Sequence, residues 1–199
     1  MKKIALLNVL MFLFLVPFAH AESFDTNISD IVSVKRANDY LTECKSVFPR
    51  HFTPNALHNY CSCSAANIRI FMSDTEFTEI ERKRNLVAGD PIFEKYIQKV
   101  IIPCMEVAVP DIARVACLED RGHSPYITNI LPYCSCVSDR MTSAVKKQGA
   151  ATIVVNMTRN PKFYDDPVQT LLESSQYRVS KYNAQRECRP IGMQSRENR

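Results

Sequence analysis

Glycine is scarce in this chain, four in 199 residues. No Asn-Gly or Asp-Gly pair occurs and alternating polar–apolar runs are few, so the tight hairpins of a β protein have little to form from. Charge of one sign is missing too. The sequence holds 25 basic and 21 acidic residues, and leaving out the first 21 positions gives 23 against 21. That balance argues against nucleic acid as a partner. Beyond residue 21 no apolar run is long enough to cross a membrane; Ile153-Val154-Val155 is typical of what remains. Catalytic signatures are absent as well, with no Gly-x-Ser-x-Gly, His-Glu-x-x-His or glycine-rich phosphate loop. These absences lead to the expectation of no enzyme, no catalytic residue, no metal and no cofactor. His51, His58 and His123 each lie near an expected turn and read as solvated.

What is present begins with an address. Lys2 and Lys3 precede the apolar Ile4–Phe18 segment, and Ala19-His20-Ala21 supplies a small-x-small cleavage pattern. The expectation is a signal peptide over 1–21, cut after Ala21, that delivers the chain to the periplasm or the medium. The compartment follows from the short Lys-Lys segment, which resembles bacterial signals. No cysteine lies near the junction, so no lipid anchor is expected.

The eight cysteines fall into two sets of four. Tyr60-Cys61-Ser62-Cys63 returns unchanged as Tyr133-Cys134-Ser135-Cys136. Cys44 and Cys117 each precede their copy by the same interval, and Cys104 and Cys188 follow, giving C-x16-C-x-C-x40-C and C-x16-C-x-C-x51-C. In an exported chain such a set reads as a disulfide framework. On a helix, positions i and i+2 point about 200° apart, so the two cysteines of Cys-x-Cys reach different neighbours rather than each other. The favoured pairing is Cys44–Cys61 with Cys63–Cys104, and Cys117–Cys134 with Cys136–Cys188. The crossed version, Cys44–Cys63 with Cys61–Cys104, stays open. Tyr60 and Tyr133 read as packing residues.

Apolar periodicity makes the class all-α: two tandem disulfide-stapled helical units, an internal repeat, packed together. The divisions are 22–108 for the first unit, 109–188 for the second, and 189–199 for a flexible basic tail. Helices are expected over Ile31–Phe48 and through Leu57–Met72. Ser73 with Glu76 forms a capping box, and Asp90-Pro91 and Asp166-Pro167 open further helices. One inward stripe joins Phe93, Tyr96, Ile97, Val100, Cys104 and Val107, with Pro103 kinking or ending the helix. Gly89, Gly122 and Gly149 are placed between helices. Ala150–Met157 reads as either helix or strand, buried between the units or forming a binding surface.

Function is the least legible part. The first reading is an exported, non-catalytic adaptor with protein partners in a bacterial cell-envelope assembly. The alternative is a carrier of a lipid or other apolar ligand held between helices. Plant lipid-transfer proteins are similar in class, being small, helical, exported and rich in cysteine; their adjacent Cys-Cys pair is absent here. A thiol redox or soft-metal role for Cys61/Cys63 and Cys134/Cys136 is the third reading. It lacks the Cys-x-x-Cys spacing of that chemistry.

Overall fold

The structure is a computed structural model that describes residues 30–47, 51–82, 89–120, 122, 126–159 and 166–193. The expected signal peptide and the tail beyond residue 193 lie outside the described residues, as does His123. Local sequence accounts for each helix start. The Ser33 hydroxyl accepts the Arg36 N–H at the head of α1 (Val34–Ser46), and Thr53 does the same for Ala56 before α2 (Pro54–Phe71). Ser73 and Glu76 close a reciprocal capping box on α3 (Asp74–Arg82), with bonds of 2.9 and 3.1 Å. Gly89 takes a left-handed φ of 87°, then Asp90 caps α4 (Pro91–Tyr96). A π-helical turn (Ile97–Ile101) leads straight into α5 (Ile102–Leu118). After α6 (Ile130–Arg159), Asp166 caps α7 (Pro167–Glu173) and Ser174 caps α8 (Ser175–Gly192).

The described residues are all-α; their one β feature is an isolated bridge between Ile31 and Ser73, which ties the entry of α1 to the α2–α3 turn. Helix α5 lies at the centre, packed on α2 and α6, and α6 in turn carries α7 and α8. A single apolar cluster runs from Val32 to Cys188 through Phe93, Met105, Val137 and Ile153. The expected boundary at 108/109 therefore falls inside one helix and one core.

Several expectations are corrected. Of the two outcomes expected at Pro103, a kink or an end, the end does not occur: the helix passes through a π-helical turn just ahead of Pro103 and continues. Proline has no N–H for the Lys99 carbonyl four residues back, and Asn67 on α2 donates its side-chain amide there instead, at 3.1 Å. Pro110 is likewise carried inside α5, its carbonyl receiving the Ser138 hydroxyl from α6 at 2.8 Å. Val107 is exposed, unlike the rest of its expected stripe. Gly149 lies within α6 rather than between helices. A Cβ there would stand 2.7 Å from Ile102 Cδ1, so the glycine marks a close approach of α6 to α5. Ala150–Met157 is helical, with Thr152, Ile153 and Met157 buried and Val155 exposed. The last expected helix is two, divided at Ser174, and Arg189–Gly192 belong to α8 rather than to a flexible tail.

Candidate ligand-binding clefts

The cysteines come together in four bonds: Cys44–Cys61, Cys63–Cys104, Cys117–Cys134 and Cys136–Cys188. Their Cα–Cα distances of 5.8, 5.4, 5.5 and 5.8 Å are ordinary for the bond. Within each Tyr-Cys-Ser-Cys the first cysteine is fully buried and the second half-buried, facing opposite neighbours. No cysteine is left as a thiol, so Cys61, Cys63, Cys134 and Cys136 offer no thiolate to a metal or a redox partner. Among the described residues no three histidine, cysteine or carboxylate side chains converge as a metal site. No helix among them is long and apolar enough to cross a membrane.

A cleft of about 700 Å³ lies between α1, α2, α3 and α7. Helix α1 contributes Tyr40 and Glu43, α2 contributes Leu57 and Tyr60, and α3 contributes Phe77, Ile80 and Glu81. Tyr96 and Ile101 close the floor, and Asp166 to Glu173 supplies the facing wall. The spacing explains the convergence. Tyr40 is one turn before Cys44 and Tyr60 is adjacent to Cys61, so the Cys44–Cys61 bond brings both rings to one place. Tyr40 meets Phe77 edge-on with centroids 5.8 Å apart, and Tyr60 meets Phe52 at 5.6 Å in the same manner. Behind Phe77, the Arg36 guanidinium lies 4.9 Å from the ring centroid, bonds Asp74 at 2.7 Å, and also bonds Glu81.

The hydroxyls of Tyr40, Tyr60 and Tyr96 form one cluster with Ser64. Burial pushes all three phenols above their ordinary value, Tyr60 and Tyr96 strongly so. They are therefore neutral at physiological pH. Ser64 Oγ is fully buried beside the Tyr40 and Tyr60 hydroxyls, yet makes no hydrogen bond of acceptable geometry. A buried hydroxyl in that position is unusual, because such groups are nearly always satisfied.

A second cleft, of about 1010 Å³, lies between α5, α6 and α8 and is walled by Phe52, Ile112, Val137, Met141 and Tyr177. Arg178 and Lys181 stand on it together with Glu119 and Glu173. The two clefts share His51, Leu172 and Glu173. His51 Nε2 lies 3.9 Å from Glu173 Oε1, so this pair forms the partition between them.

Sequence reasoning found the cysteines and missed the clefts. Tyr60, read as packing, is at the floor of the first cleft, whereas Tyr133 packs against Gly192. His51 and His58 are both exposed, as expected, and His51 in addition stands on the edge shared by the two clefts. The available signal was asymmetry: Tyr40 and Tyr96 have no tyrosine counterparts at Ala113 and Leu172, the residues matching them relative to the repeated cysteines and the repeated Asp-Pro pair. Compared with known proteins, no family model matches this chain, and neither does any curated protein or solved structure.

Proposed function

We propose that this chain is an exported, non-catalytic helical binding protein that holds a small apolar ligand between its helices. The supporting observation is the first cleft, whose volume of about 700 Å³ lies within the usual range for small-molecule sites. Its tyrosines are held protonated, so at neutral pH they serve as ring surfaces and hydrogen-bond partners rather than as bases or nucleophiles. The four disulfides are compatible with an oxidising compartment outside the cytoplasm. Native mass spectrometry of protein taken from its own host tests the reading. A reproducible small-molecule adduct is expected, and protein that is bare in every preparation refutes it.

The adaptor reading is second. Ile31, Ile70 and Phe71 are exposed near the bridge between Ile31 and Ser73, an apolar surface on which a protein of the cell envelope could rest. Crosslinking in intact envelopes is expected to trap a defined partner if this reading holds; a chain that stays alone under all conditions removes it.

A further inference from the structure

Four aromatic side chains, Tyr40, Tyr60, Phe77 and Tyr96, line the first cleft, and four carboxylates, Glu43, Glu81, Asp166 and Glu173, stand around it. Among the described residues no lysine or arginine lines it, and His51 is the one basic side chain there. Three of the carboxylates are already engaged: Glu81 pairs with Arg36, Glu173 accepts from the Gln169 side chain, and Asp166 accepts the Gln169 N–H as the cap of α7. Among the described lining residues the balance of charge nevertheless stays negative. It is felt at the floor, where the Asp166 charge adds to burial in keeping Tyr60 and Tyr96 protonated.

We propose that the first cleft takes an organic cation, an amine or quaternary ammonium carried on an apolar body, with its charged head against the tyrosine and phenylalanine rings. This rests on the reading of the chain as a ligand carrier. Aromatic faces carry the negative part of the ring quadrupole and attract a cation stripped of water. The carboxylates raise the local concentration of cations and repel fatty acids and anionic lipids. Leu57, Val168 and Leu172 give the apolar body a surface to cover. The second cleft has no such bias, since Arg178 and Lys181 are matched there by Glu119 and Glu173.

Calorimetric titration of the oxidised, exported protein tests the proposal with three probes that share one tail: octyltrimethylammonium, octanol and octyl sulfate. The cation is expected to bind about tenfold more tightly than the alcohol, the scale of a desolvated cation–ring contact. The double variant Glu43→Gln/Asp166→Asn keeps a capping side chain at 166. It is expected to weaken the cation by about two- to tenfold, as for partly screened charges, and to leave the alcohol unchanged. A second variant, Tyr40→Leu, should reduce the cation-to-alcohol ratio even if it lowers stability. Alcohol or sulfate binding as tightly as the cation, or a preference unmoved by both variants, overturns the cation proposal and leaves the carrier reading intact. No binding of any of the three probes overturns both.

Discussion

At the scale of single residues, Asn67 supports the longest continuous stretch of helix-like backbone in the first half of the chain. It satisfies the carbonyl that Pro103 abandons, and its amide lies 3.4 Å from the sulfur of Cys104. Asn67→Ala should cost about 1 kcal/mol, one net hydrogen bond, in a denaturant midpoint. The cost should shrink in a Pro103→Ala background, where the backbone regains its own donor. Buried tyrosines give a second expectation. Tyr40, Tyr60 and Tyr96 are raised above 10.0 and Tyr177 is pushed up to about 12, all chiefly by burial. Below pH 10 both folded and unfolded forms keep these protons, and the raised values cost nothing. Above it the unfolded chain ionises first, so stability falls as pH rises from about 10 toward 12. Urea melts across that window, with tyrosinate absorbance recorded alongside, check the sign. A flat profile would contradict the burial of the phenols.

At the scale of elements, α3 carries no cross-link and is tied to its neighbours largely by ion pairs. Arg36 reaches Asp74 and Glu81 from α1, and Lys95 from α4 bonds Glu76 at 2.7 Å. Arg36→Met keeps some of the stem and removes the charge. It should lower stability by only about 1 kcal/mol, since these pairs are partly exposed, yet reduce ligand binding further because Phe77 loses its backing. Comparing the two losses in one preparation checks the claim. Helix starts of this kind were legible in the sequence, because Ser73 with Glu76, Asp90 with Pro91 and Asp166 with Pro167 act within a few residues of themselves. The continuation of the helix through Pro103 and Pro110 in α5 was not legible. Pro103 is accommodated where Asn67, distant in sequence, donates to the carbonyl it leaves open, and Pro110 lies where its own carbonyl accepts the Ser138 hydroxyl. The break at Ser174 is a capping event inside an otherwise helical composition, which periodicity alone does not reveal. The cleft escaped for the same reason, since four helices from separate stretches build it.

At the scale of the whole molecule, the four disulfides join α1 to α2, α2 to α5, α5 to α6, and α6 to α8. Helix α5 holds one cysteine of each set of four, so the series is unbroken. Peptide mapping without reductant should recover these four linked pairs and no others. Removing Cys136–Cys188 by paired serines should cost about 4 kcal/mol if chain entropy governs, the loop being 52 residues. The series also leaves something out. Helices α3 and α7 carry no cysteine, and they are the two opposite walls of the first cleft. The molecule is thus a welded frame with two unwelded panels, α3 and α7, set in place by Phe77, Val168, Leu171 and Leu172 in the core. Amide exchange should register the difference as faster opening in α3 and α7 than in α2 and α5, with the panels slowing when the proposed ligand is bound between them.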